Sequence, residues 1–233
     1  VFVDVDLTSR NIDLNQAEAA ITPRTKAIMP VHFAGLPVDM DALYDLAQRH
    51  KLRVIEDAAH AIGSSWQGKR IGSFGDIVSF SFHPNKNMTT IEGGALSFAD
   101  AEEVKKFDLL RFHGISRDAE GNMDVSIAGG KYNLSDVAAR VGVGQLPLLD
   151  GFNAKRRELV AHYFKYFATD PACLLPARGD DGHSWHMFAP LLPLDQLNIS
   201  RKQFIDAMHQ RGLGVGIHYP ALHLFSLYRK LGW

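Results

Sequence analysis

The sequence predicts an α/β protein with two units, a large one over residues 1–150 and a smaller α+β unit over residues 151–233. Two observations predict the large unit. Short β-prone apolar runs alternate with helical patterns, the order expected of βαβ units around a parallel sheet. One such run ends directly in acidic and small residues, as strands do where a parallel sheet presents its carboxyl ends to a ligand. A third observation, a change of character near Gly151, predicts the smaller unit.

Residues 1–6 (VFVDVD) alternate apolar and acidic side chains as a strand does. Residues 26–33 (KAIMPVHF) form a second β-like run, and Met40–His50 places Leu43, Leu46 and Ala47 on one helical face. Residues 52–55 return to strand character. Two further β-like runs, 77–82 and Gly94–Phe98, precede a helical pattern over residues 101–112. Beyond Gly151, residues 155–167 (KRRELVAHYFKYF) read as a long amphipathic helix, with Tyr163, Phe164, Tyr166 and Phe167 as core contacts and the Lys155, Arg156, Arg157 run as a solvated face. Residues 171–182 are rich in Pro, Gly and Asp, and residues 185–192 look strand-like. Ser200 caps a helix running through Gln210, and residues 214–219 form a last strand.

Composition narrows the function classes. With 233 residues, 46% hydrophobic and 22% charged, the chain has the makeup of a globular protein with a sizeable core, which excludes disorder, collagen and coiled coil. Lys plus Arg total 25 against 26 Asp plus Glu, so the net charge of -1 provides no basic field for nucleic acid or an anionic membrane. Apolar runs fall far short of the roughly 20 residues of a membrane-spanning helix, and no basic-then-apolar leader opens the chain. A cytoplasmic protein is expected. One cysteine, Cys173, gives neither an internal disulfide framework nor a multi-cysteine zinc site. Both ends read as cut in mid-fold, so a fragment of a longer chain is expected.

Two residues carry the chemistry. Asp57 follows the apolar run 52–55, where a parallel strand would hand a ligand its carboxyl end; an acid in that place also commonly caps the next helix. Lys86 follows the strand-like run 77–82, with Pro84 behind it and Gly93 and Gly94 ahead, on a turn at the same strand ends. Its flanks are apolar or small rather than charged, unlike those of an ordinary surface lysine. Pyridoxal 5'-phosphate requires such a pair: an amine whose proton affinity burial lowers, and an acid that keeps the pyridine nitrogen protonated.

The strings EDAAHAIG (56–63), GSFGD (72–76), SFHPNKNMTTIEGG (81–94), RFHGI (111–115), KYNLSD (131–136) and GVGIHYPALH (214–223) resemble the sugar aminotransferases of the DegT/StrS type. Within that family the likeness is to enzymes that aminate nucleotide-linked 4-keto sugars, including the 4-amino-arabinose type. The resemblance implies a fold-type I large domain followed by a small C-terminal domain, both incomplete here. It implies that Lys86 holds the cofactor as a Schiff base and that Asp57 pairs with the pyridine nitrogen. By the same likeness His60 lies against the cofactor ring, Ser81 binds its phosphate, and Asn133 reaches the phosphate of a partner in a homodimer. His218, Tyr219 and His223 fall in the substrate-facing loop, and the substrates are glutamate and a nucleotide-linked keto sugar. Family members that dehydrate rather than aminate carry His in place of the lysine, so Lys86 favours amino transfer. A non-catalytic dimerising module and a sugar dehydratase are the rival readings.

Other signals are bland. His183 and His186, three apart in a strand-like run, point to opposite faces and suit packed histidines better than a metal site. His32 and His113 read as satisfied core groups. The Gly212, Gly214 and Gly216 series lies between a helix and a strand, the wrong order for a dinucleotide fingerprint, and reads as a helix-ending turn.

Overall fold

The structure, a computed structural model, describes residues 1–168, 173–193, 195–217 and 219–232. Helix α1 spans Leu14–Ala19, strand β1 Ala27–Ile28 and helix α2 Met40–His50. Helix α2 begins where Asp39 accepts the Ala42 N–H at 3.0 Å, carries Asp41 in its first turn and Arg49 and His50 in its last, and ends at Lys51 in a left-handed conformation. Its Met40, Leu43, Leu46 and Ala47 are all buried. They pack with Ile28, Val54, Ala58, Ile71 and Val78 in the main core. The period of 3.6 in that stripe is what docks the helix onto the sheet.

Strand β2 (Arg53–Asp57) is followed by a hairpin, β3 (Ser65–Trp66) and β4 (Lys69–Arg70), then by β5 (Ile77–Ser81) and β6 (Gly94–Phe98). The central sheet has the order β1-β2-β5-β6. Its first three strands are parallel, with Asp57 in register with Ser79. Strand β6, whose direction the sequence left open, runs antiparallel to β5 from Ile77 opposite Phe98 to Ser81 opposite Gly94. The loop between them doubles back without a crossover helix, which forces antiparallel pairing.

Helix α3 spans Ala101–Arg111, a second hairpin pairs β7 (Ile115–Arg117) with β8 (Met123–Val125), and α4 covers Asp136–Gln145. Helix α5 runs as 19 residues from Leu149 to Phe167, starting six residues before the predicted position. Helix α6 (Arg201–Gln210) has the predicted Ser200 cap, completed into a capping box by Gln203, and α7 covers Ser226–Lys230.

Three predicted strands are absent. Residues 1–6 contribute only a bridge from Val5 to Ile12, residues 185–192 only the Leu174–Leu191 bridge, and the described part of 214–219 forms none. The predicted strand 26–33 shortens to β1, a bridge at Val31 and a 3-10 turn at Phe33–Gly35. The aromatic reading of α5 also changes. Phe164 is buried against Trp185 and Phe188, whereas Tyr163 and Tyr166 are exposed, Tyr163 stacking on Phe188. His113 is exposed rather than buried.

Candidate active site

Asp57 ends β2 between two neighbours. Its N–H donates to Pro30 (2.9 Å), its carbonyl accepts the His32 N–H (3.0 Å), and the next N–H, of Ala58, reaches Ser79 on β5 (2.8 Å). Its carboxylate accepts the Ala59 N–H at 3.0 Å, so the acid both closes the local turn and stays half-buried at the sheet's carboxyl edge. Behind it lies a buried cluster in which His32, read from the sequence as a satisfied core group, meets Glu56 and Tyr44, which sequence reasoning missed. His32 Nδ1 accepts the Val38 N–H (3.1 Å), so its Nε2–H donates to Glu56 at 2.9 Å, and the Tyr44 hydroxyl donates to the other Glu56 oxygen at 2.6 Å. A buried carboxylate is tolerated because both oxygens have donors. Burial and the neighbouring Glu56 raise the proton affinity of the Tyr44 phenol, which keeps it a donor. The signal was an acid at an inward position of an apolar strand.

The chain leaves β5 at Ser81, whose hydroxyl accepts the His83 N–H at 3.4 Å, and returns to β6 through a closed loop. Phe82 N–H donates to Gly93 (2.9 Å), Thr90 N–H donates to Phe82 (3.0 Å), and Lys86 sits in the turn with its own N–H on His83 (2.9 Å). Gly94 permits the closure: a Cβ there would stand 2.7 Å from the Phe80 carbonyl. The absence of a side chain at Gly94 thus serves contact of the chain with itself, and both glycines also line a cavity. Lys86 is half-buried, and its amine makes no hydrogen bond to a described residue. Burial lowers its proton affinity, and the charge of Asp57 partly opposes that shift. The two residues singled out in the sequence thus act on each other in the fold.

Residues 183–186 (HSWH) are tied to the lysine turn through Asn87, whose amide donates to the Ser184 carbonyl at 2.9 Å. Ser184 and His186 donate their N–H groups to Gly35 (3.3 Å) and Ala34 (2.8 Å). The Ser64 and Ser184 hydroxyls lie 2.8 Å apart, the first within 2.7 Å of the Gly35 carbonyl and the second within 3.1 Å of that of His60. Any Cβ at Gly35, where φ is +94°, would collide with Ser184. Arg156, expected to be solvated, instead donates to the carbonyls of Trp185 (3.1 Å) and His186 (3.0 Å) and is half-buried. The two histidines are packed, as expected. His183 stacks on Trp185 at 3.7 Å, and burial depresses its pKa to about 3. His186 stacks on His60 at 4.4 Å, and its Nδ1 lies 3.1 Å from Asn87 Oδ1. Asn87 and Asn153 were missed as well; Asn153 was visible as a polar residue on the α5 stripe that also carries Leu149, Val160 and Phe164.

Asn133, half-buried, accepts a hydrogen bond from Lys131 at 2.6 Å and lines a cavity of about 450 Å³ with Thr90, Gly93, Gly94 and Tyr132. Gly94 is the strand partner of Ser81, so this cavity adjoins the end of β5. Tyr219 and His223 are exposed, and His218 lies outside the described residues. Among the described residues no group of three or more His, Cys, Asp and Glu could hold a metal ion.

A half-buried lysine beside a strand-end carboxylate, on this α/β frame, defines the class as the fold-type I pyridoxal phosphate enzymes. The lysine, with no described hydrogen-bond partner, and the acid fit that cofactor's aldehyde and pyridine nitrogen. The chain belongs to the DegT/DnrJ/EryC1/StrS aminotransferase family, whose model it matches over residues 1–232. It is 41% identical to an uncharacterised Methanocaldococcus jannaschii protein, MJ1066, over 239 residues covering 99% of the chain. It is 38% identical to the spore coat polysaccharide biosynthesis protein SpsC of Bacillus subtilis, again over 99% of the chain. The chain spans 62% of the length of each of these relatives. Among solved structures it resembles Helicobacter pylori PseC, an aminotransferase involved in pseudoaminic acid biosynthesis, with 31% identity and a TM-score of 0.91 over 99% of this chain and 62% of that one.

Proposed function

We propose that the protein is a pyridoxal phosphate-dependent aminotransferase that moves an amino group from glutamate onto a keto carbon of a nucleotide-linked sugar. The observation that carries this reading is the Lys86 amine, half-buried, without a described hydrogen-bond partner and within the field of Asp57. When bound, the cofactor supplies an electron-withdrawing pyridine ring that delocalises the charge left when an amino acid loses its α-proton. Lys86 holds the cofactor in the resting protein and, once displaced by the donor, carries that proton at Nζ, a role that burial favours by populating the neutral amine. Asp57 keeps the pyridine nitrogen charged. His60 covers the ring, Ser81 and Asn133 serve the phosphate, and His218, Tyr219 and His223 face the sugar.

The protein works as a homodimer in this reading, with Asn133 directed to the partner's site. Support comes from the exposed apolar side chains around it: Tyr132 is 79% and Val137 73% exposed, with Ile91 and Val143 also uncovered. The reading also divides the chain into a cofactor-binding unit over residues 1–150 and a smaller unit over 151–233. A cytoplasmic setting accords with the single cysteine, and no helix among the described residues is long and apolar enough to cross a membrane.

The test uses the full-length protein supplied with pyridoxal phosphate, glutamate and a panel of keto sugar nucleotides. The expected outcome is visible absorbance from lysine-bound cofactor and an amino sugar identified by mass spectrometry, both lost in Lys86→Ala. A colourless protein, or a keto-deoxy product in place of the amine, overturns the reading.

A further inference from the structure

We infer that Asn153 on α5, acting through Asn87, fixes where the proton sits on the His186 imidazole that stacks on His60, and so is a positioning residue for the site. The argument starts from a backbone carbonyl. Asn153, 1% exposed, has its Nδ2 at 3.3 Å from the Ile62 carbonyl, which can only accept, so its Oδ1 is turned to Asn87. Gly63 makes room for this reach: its φ is +81°, and a Cβ there would stand 2.5 Å from Asn153 Nδ2. Asn87 Nδ2 then donates both hydrogens, to Asn153 Oδ1 at 2.8 Å and to the Ser184 carbonyl at 2.9 Å. Its Oδ1 is left as the acceptor facing His186 Nδ1 at 3.1 Å, and a neutral His186 must carry its proton on Nδ1.

The stacked partner is held in the opposite form. His60 Nδ1 accepts the Ala34 N–H at 3.3 Å, which places the proton of the neutral ring on Nε2. The rings lie 4.4 Å apart and 27° from parallel, so a second positive charge on the pair is disfavoured. Asn87 directly follows Lys86 in the chain. The same amide therefore anchors the backbone of the lysine turn and the ring beneath His60, tying both to α5. The use of this device in amino transfer rests on the function proposed above; the tautomers do not.

Nitrogen-15 imidazole spectra of the cofactor-free, full-length protein test the inference. His186, assigned through His186→Gln, is expected in the Nδ1–H form and His60 in the Nε2–H form. His183 is an internal control: its Nδ1 accepts the Trp185 N–H at 3.1 Å and its ring bonds the Gly35 carbonyl, so it stays Nε2–H while the segment is folded. Asn87→Leu should move His186 away from Nδ1–H with His183 unchanged, and Asn87→Asp, which keeps an acceptor oxygen, should restore it. Asn153→Leu should give a partial shift. His186 found as Nε2–H in the wild type, or unmoved in a folded Asn87→Leu, overturns the inference. In the holoenzyme Asn87→Leu should lower kcat about tenfold or more with little change in KM, as a loosened supporting contact does. A protein that never takes up pyridoxal phosphate sinks the proposed function and leaves the tautomer result standing.

Discussion

The Asp57 carboxylate and the Lys86 amine oppose one another's surroundings: burial lowers the proton affinity of the amine, and the carboxylate raises it by a smaller amount. They meet because β2 and β5 are parallel neighbours with Asp57 in register with Ser79, and the loop after Ser81 carries the lysine back over the same edge. The net result is an amine more often neutral, and so more nucleophilic, than one in water.

Replacing Asp57 with Asn removes the charge and keeps an oxygen to accept the Ala59 N–H, so the turn should survive. The Lys86 proton affinity should fall further. In the proposed enzyme, absorbance from lysine-bound cofactor should persist while the glutamate half-reaction slows by roughly 10²–10³-fold, the scale of losing one preorganised electrostatic contact. Single-turnover kinetics read this directly; an unchanged rate would remove Asp57 from the mechanism.

His183 predicts acid lability. Its folded pKa of about 3 lies below the usual histidine value of 6.5, so between those limits the unfolded chain binds a proton that the folded one excludes. Stability from this group is therefore fully present above about pH 6.5 and is lost progressively as pH falls toward about 3. Urea denaturation of His183→Gln across that range should show a shallower dependence on pH than the wild type.

Arg156→Met retains the aliphatic stem and deletes the donors to Trp185 and His186, leaving two half-buried carbonyls without that partner. The expected cost is about 1–3 kcal/mol. Hydrogen exchange should quicken over residues 183–186 and not in α2. Equal acceleration in both places would contradict a local role.

Tyr44→Phe removes the donor to Glu56 and the acceptor of the Asp76 N–H, the latter bonded at 2.7 Å. A loss of about 1–3 kcal/mol follows from orphaning a buried carboxylate oxygen. The thermal midpoint should drop, and Glu56→Gln in the same background should recover part of it, because an amide is less costly than an ion to leave with one partner.

The longer helices with a clear apolar period were readable, whereas α1 and α4 were missed although Asp13 and Ser135 cap them. Asp39 and Ser200 mark the starts of α2 and α6, and the stripe in α2 fixes its buried face. Asp57 and Lys86 were expected at neighbouring strand ends, and the fold brings the amine into the field of the carboxylate. What could not be read depends on pairing across the chain. Strand-like composition at residues 185–192 gave no strand because HSWH bonds to Ala34 and Gly35, and local propensity carries no trace of that partner. Alternation likewise cannot show strand direction, so the antiparallel pairing of β6 was not legible. Arg156 looked solvated because its acceptors are backbone carbonyls about 30 residues ahead.

The Ser64, Ser184 and His60 knot joins positions up to 124 residues apart, and it ties residues 183–186 to the chain that follows β2. During synthesis, then, residues 60 and 64 leave the ribosome about 120 residues before the partner that joins them. A nascent chain halted ahead of Ser184 would lack the bonds from that residue to Ser64 and His60, so this part of the fold closes only after the HSWH segment has emerged.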